Sequence, residues 1–340
     1  MIVVDRLSPE DTRKLHWGRF WLVASGMFWG VSMQMVVYEG GGHPLNQLPN
    51  VFWYLGFLLV YVHTWYTKGG RWGPKKFEDM NTYENHKNIV GPIGVLDWLG
   101  TTGLTIGLIL SGSAIFGIIY ASVTVWTALL AWAALGKRMT LIKAVGIALV
   151  VGGLILPSID DNGDAETPNA KLVWWGIIIT TAATLFYACE YVWSERAFGM
   201  HKIDGTQLCF WSGVWGLIIT MLWIVVYTIP NWDTLVTQEI EKVNGRVWLI
   251  SVIYFLHILN NAMHNWAWFT VCELEGGTST GLLMGVKAAF LFFGSSVSFC
   301  SPEHPEQCIT VYKLAATTCV CAGAALYYWP EPNSAVAAKS

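Results

Sequence analysis

The sequence predicts an all-α polytopic membrane protein, with ten transmembrane helices arranged as two inverted five-helix repeats. Three observations predict it. First, 54% of the 340 residues are hydrophobic and only 13% are charged, about half the ~25% charged share of an ordinary soluble domain. Twenty Lys and Arg with 23 Asp and Glu cannot coat a soluble domain of this length. Second, apolar runs of near-spanning length follow one another with short links. Third, the two halves of the chain share a spaced pattern. The same composition excludes a disordered, collagenous or coiled-coil chain. A net charge of −3 without a dense basic run excludes a nucleic-acid binder.

The runs fall near 20–38, 50–67, 89–110, 113–135, 139–157, 171–193, 206–229, 247–270, 278–300 and 309–329. A helix of about 20 apolar residues crosses the hydrocarbon core. The polar segment 1–19 has no short apolar core or small-residue cleavage site, so it reads as a cytoplasmic lead-in rather than a cleaved signal. The first five runs form one repeat over 20–157. Within it, Ser111-Gly112-Ser113 and Gly136-Lys137-Arg138 are tight links that favour antiparallel neighbours. The acidic stretch 158–170 links the halves. The last five runs form the second repeat over 171–329, and 330–340 is a tail. Trp17, Trp21, Trp65, Trp98, Trp174, Trp175, Trp248 and Trp329 sit near run ends, where tryptophan anchors at the interface.

Basic residues set the orientation. With a cytoplasmic N-terminus, fifteen of the twenty Lys and Arg face inside, among them Arg13, Lys14, Lys68, Arg71, Lys75, Lys76, Lys137 and Arg138. Lys171, Lys242, Arg246 and Lys313 face outside, and Lys287 lies within a run. That bias follows the positive-inside rule and puts both termini in the cytoplasm. Thr140, Lys143, Val150 and Gly153 recur as Thr310, Lys313, Val320 and Gly323 at an offset of 170. Five runs per half invert the second copy, as in secondary transporters with a midplane site between repeats.

Two runs carry the polar residues of interest. In the eighth, His257, Asn260, Asn261, His264 and Asn265 share one helix face. Such a stripe avoids lipid, where each unpaired polar group costs several kcal/mol. It reads either as one wall of a polar substrate cavity or as an interhelical hydrogen-bond ladder. In the ninth, Thr280, Met284 and Lys287 share a face, and Lys287 lies ~15 Å deep. An intramembrane ammonium is a functional candidate. Its partner is Asp97 of the third run or an anionic substrate. Glu190 lies near the inner end of the sixth run. It reads as a side chain reaching the interface or as a proton-coupling carboxylate. Cys300 and Cys308 flank a short predicted outer loop, where an oxidising compartment permits a disulfide. The spacing leaves that pairing open. No zinc-ligand spacing, nucleotide loop or hydrolase motif occurs, so no metal, cofactor or catalytic group is expected.

With these motifs the chain resembles the drug/metabolite transporter superfamily, in its EamA-like and solute carrier family 35 branches. One carrying segment runs from Asp97 to Leu156. There an Asp precedes a Gly-Thr run, a small-residue span, a basic turn and a Gly-rich helix. The other runs from Phe255 to Tyr328. Its H-x-x-N-N at His257, Asn260 and Asn261 is similar to the H-x-Y-N-Q of triose-phosphate and nucleotide-sugar transporters, with Leu259 at the tyrosine position. Lys287 stands where that branch places a phosphate-binding lysine, and Ala288 follows it in place of Arg. The chain also resembles chloroquine-resistance-transporter-like proteins. These resemblances imply an ATP-independent antiporter or carrier of a small polar metabolite, of the nucleotide-sugar or sugar-phosphate type. The same fold also serves organic cations, vitamins or peptides. A membrane enzyme using the histidines of the eighth run is the reading from a different class. The implied partners are the bilayer, a small-molecule substrate and, compatibly, a second copy as a homodimer. The implied location is an endomembrane (Golgi, endoplasmic reticulum or vacuole) or the plasma membrane.

Overall fold

The computed structural model describes residues 8–67, 86–136, 140–156, 170–201, 203, 205–302 and 304–327. The loop cations from Lys68 to Lys76, the Lys137-Arg138 turn, most of the acidic linker and the 330–340 tail lie outside the described residues. Among the described residues the chain is helical, with one isolated bridge between Ser301 and His304.

α1 spans Pro9–Tyr38, starting eleven residues before the apolar run. Ser8 caps it by accepting the Asp11 N–H at 3.1 Å. Pro9 opens the first turn, Glu10 and Asp11 favour its positive end, and Lys14 pairs with Glu10 one turn on. Local capping thus carries the helix into polar sequence that hydropathy reads as its outside. α2 (Leu48–Thr67), α3 (Gly91–Tyr120), α4 (Ser122–Leu135) and α5 (Leu141–Ile155) complete the first half. α6 (Ala170–His201), α7 (Gly205–Trp223), the short α8 (Gln238–Lys242), α9 (Val247–Glu275), α10 (Gly277–Phe299) and α11 (Val311–Tyr327) form the second. Six helices are long and apolar enough to cross a membrane, and the described parts of α2, α4, α5 and α11 are shorter apolar helices. The protein is therefore a helical, multi-pass membrane protein.

α3 is broken at Gly112, whose φ of 73° and ψ of 155° lie outside the helical region. Its two parts run in opposite directions. Gly100, Gly103 and Gly107 meet Tyr187, Ala183 and Thr180 of α6 in descending order. Beyond the break, Gly117 meets Ala288 of α10, and further along Gly285 and Gly281 of α10 meet Thr124 and Thr127 of α4. α10 begins where α6 ends, because the Gly277 N–H donates to Glu195 at 2.9 Å. The Ser111-Gly112-Ser113 link is thus a reversal, as its residues predicted. Small residues let these backbones close up, as membrane helices require. α5 and α11 cross at Gly146 and Gly323.

The two ends of the bundle are tied differently. Near the Pro9 end, Arg19 pairs with Glu275, and Glu273 accepts the Gly205 N–H at 3.3 Å. At the Tyr38 end, Glu39 accepts both the backbone and the guanidinium of Arg246. A disulfide joins Cys300 and Cys308.

Candidate functional site

Six helices surround a small cavity of about 30 Å³. Five of them contribute residues one helical turn apart, and α1 contributes one. α3 supplies Asp97, Thr101 and Leu104, α6 supplies Tyr187, Glu190 and Tyr191, and α10 supplies Met284 and Lys287. α9 adds His264, Asn265 and Trp268, α1 adds Trp29, and α2 adds Trp53 and Phe57. Tyr120, after the Gly112 reversal, closes one wall. The reversal matters here, since it returns the chain past α10 and brings Tyr120 to Lys287.

The charged residues are nearly sealed from solvent. Asp97 and Glu190 are each 2% exposed and Lys287 is 5% exposed. Asp97 Oδ2 and Glu190 Oε2 have no hydrogen-bond partner among the described residues. Lys287 forms no ion pair with Asp97, the pairing that the sequence raised. Its Nζ instead lies 4.3 Å from the centre of the Tyr120 ring, a cation–π contact worth ~2 kcal/mol when desolvated. That offsets only part of the cost of burying an ammonium.

The polar stripe of α9 divides in two. His257 Nε2 lies 2.7 Å from Ser32 Oγ, and Ser32 donates its one hydroxyl proton to the Phe28 carbonyl at 2.6 Å. His257 is therefore the donor in that pair, at Nε2. Asn260 donates to the Ser25 carbonyl at 3.0 Å. Asn261 packs beneath Gly56, and Thr280 bonds back to the Gly276 carbonyl at 3.2 Å. These four do not line the cavity. His264 and Asn265 do. His264 Nδ1 meets Ser25 Oγ at 2.9 Å while Ser25 donates to the Trp21 carbonyl, which leaves His264 Nε2 as an acceptor. Asn265 Nδ2 donates to the Asn261 carbonyl at 2.8 Å. Thus His257 and Asn260 bond α1 away from the cavity, whereas His264, which also bonds α1, forms a cavity wall with Asn265.

Glu190 is buried deep in the bundle because α6 continues to His201, ~16 Å past it. The interface reading of Glu190 is corrected by that extra length. Sequence reading missed the aromatic lining of Trp29, Trp53, Tyr120, Tyr187 and Trp268. The available signal was the Tyr187-x-x-Glu190-Tyr191 spacing, which puts two rings and a carboxylate on one face.

The EamA-like transporter family matches residues 16–159. Solute carrier family 35 member F6 of Pongo abelii is 25% identical over 212 residues, 59% of this chain and 57% of that protein. The Homo sapiens protein of the same name is 25% identical over 142 residues, 41% of this chain and 38% of its own length. Over these stretches the chain is similar to EamA-like and solute carrier family 35 transporters, of the drug/metabolite transporter superfamily. An uncharacterized Schizosaccharomyces pombe protein is 20% identical, over 42% of this chain and 43% of its own. The matched stretch thus spans little more than half the length of these relatives, or less. A solved crystal structure superposes with a TM-score of 0.59 at 13% identity, over 92% of this chain and 98% of that one. At that identity it speaks for the fold alone.

Proposed function

We propose that this protein is an ATP-independent carrier that moves a small polar organic metabolite by alternating access. The observation that carries the reading is the central cavity, where Asp97, Glu190 and Lys287 are buried without ion-pairing to one another. Unsatisfied charge at membrane depth is costly and is retained where a solute meets it. The same reading takes the chain as ten alternating spans in two inverted halves. Six long and four shorter apolar helices and the Gly112 reversal fit that count, and the cavity draws helices from both halves. Both termini then face the cytoplasm, by the positive-inside bias.

The lining favours a substrate bearing a positive charge over a phosphate ester. Two carboxylates face one ammonium, and aromatic faces such as Trp29, Trp53 and Trp268 suit an organic cation. Lys287 already rests on such a face. The enzyme reading has less support, because His257 and His264 are engaged with Ser32 and Ser25.

The test is counterflow in proteoliposomes, comparing organic amines with sugar phosphates and nucleotide sugars. Amine exchange that is lost in D97N and E190Q is the expected result. Exchange of sugar phosphates alone overturns the substrate reading, and no exchange of any solute by folded protein overturns the carrier.

A further inference from the structure

The reversal at Gly112 is closed by two glutamines from distant parts of the chain. The helix restarting at Ser113 exposes its first N–H groups. The Ser113 N–H donates to Gln34 Oε1 on α1 at 2.7 Å. The Ala114 N–H donates to Gln307 Oε1 at 3.2 Å, and the Ser113 hydroxyl donates to the same oxygen at 3.3 Å. All three side chains are buried. A Cβ on Gly112 would lie 2.5 Å from Gln307 Nε2, so this turn needs glycine for room as well as for its positive φ.

Gln307 belongs to the segment that the Cys300–Cys308 disulfide closes. In that segment His304 stacks on Tyr38 with ring centres 4.1 Å apart, and Lys313 donates to the Cys308 carbonyl at 3.2 Å. Trp29, a cavity residue, precedes Gln34 by five residues on α1, ~7.5 Å along the axis. The glutamine cluster therefore stands between the cavity and the Tyr38 end of the bundle. One feature sets it apart from an ordinary cap. Gln307 Nε2 is buried with no acceptor among the described residues. That deficit exists only while the segment is seated, because water meets the amide once it swings out. It keeps closed and open arrangements near each other in free energy, as a switching element requires.

We propose that Gln34, Ser113 and Gln307 form the gate that closes the cavity toward the Tyr38 end, with the disulfide-closed segment as its latch. The proposal rests on the carrier reading. Release of Gln307 frees the Ser113 turn from the disulfide-closed segment, leaves Gln34 alone to hold it, and opens a path to Trp29.

The test uses a T101C reporter on the cavity wall, with Cys189, Cys209, Cys272, Cys319 and Cys321 replaced by serine. A membrane-impermeant maleimide is applied from the Tyr38 side, and labelling is read as a mass shift on the reporter peptide. Q307A raises the labelling rate about tenfold, the factor for losing about 1.4 kcal/mol of hydrogen bonding. Q307E, which keeps an accepting oxygen at a helix N-terminus, does not raise it. Reducing the disulfide of the already folded reporter protein with a phosphine raises it as well, so a misfolded Q307A leaves the answer intact. Unchanged labelling after reduction overturns the gate, as does equal acceleration by Q307E and Q307A. Labelling requires no transport, so failure of the gate and failure of the carrier reading are separate results.

Discussion

Gly26 of α1 and Lys287 of α10 interlock: a Cβ on Gly26 would lie 2.0 Å from Lys287 Cδ. The lysine stem crosses the bundle through the space that the missing side chain leaves. Its ammonium then reaches Tyr120 and the cavity. The position of the charge is thus set by an absent methyl group on another helix.

G26A displaces that stem. Overpacking of this kind costs about 1–3 kcal/mol, and the larger effect falls on the site. Counterflow by G26A drops at least about tenfold while folded protein is still recovered. Transport at the wild-type rate in purified G26A would remove Lys287 from the site.

Lys287 itself separates function from stability. K287M keeps most of the volume and removes a buried charge that has no carboxylate partner. Its melting temperature stays level or rises, by the equivalent of ~1–4 kcal/mol, while transport is abolished. A large drop in melting temperature would mean instead that the ammonium is a structural group.

The divided stripe of α9 gives opposite expectations for its two histidines. H257A loses the Ser32 bond and leaves a void, costing about 2 kcal/mol or more, with the substrate KM unchanged. H264A removes a cavity wall and raises KM. Parallel thermal melts and transport kinetics distinguish them, and equal KM changes for the two variants would refute the division.

The Glu39–Arg246 pair at the Tyr38 end sets a pH dependence. The Arg246 guanidinium and backbone N–H hold the Glu39 carboxyl below its ordinary value of 4.5. A carboxylate with a depressed folded value stabilises the fold above that ordinary value, and the stabilisation disappears as pH falls through the lower one. Wild type therefore melts ~1–2 °C above E39Q at pH 7, the scale for a partly exposed pair. The two converge as the pH falls through the lowered Glu39 value. A gap that persists in acid would assign the difference to packing.

Much of this was legible in the residues. Hydropathy runs located the helices, and the short links located the Gly112 reversal. Lys287, Asp97, His264 and Asn265 were candidates, and the cavity gathers all four. Glu190 was misplaced because Trp193-Ser194-Glu195-Arg196 reads as an exit from the membrane, while packing carries α6 through it to His201. His257 and His264 were inseparable in sequence, since seven residues make nearly two full turns and return to one face.

The sequence alone determined that lipid is the main solvent, where most helices begin and end within a turn or two (α1 and α6 run further), and which faces are polar. Those properties follow from local terms: hydrophobic run length, capping and helical periodicity. The tertiary structure decided what each polar face meets. Ser32 receives His257, a cavity receives His264, a ring rather than a carboxylate receives Lys287, and Gln307 reaches a turn nearly two hundred positions away. Periodicity fixes a direction on one helix, but the partner opposite is chosen by how helices far apart in the chain pack.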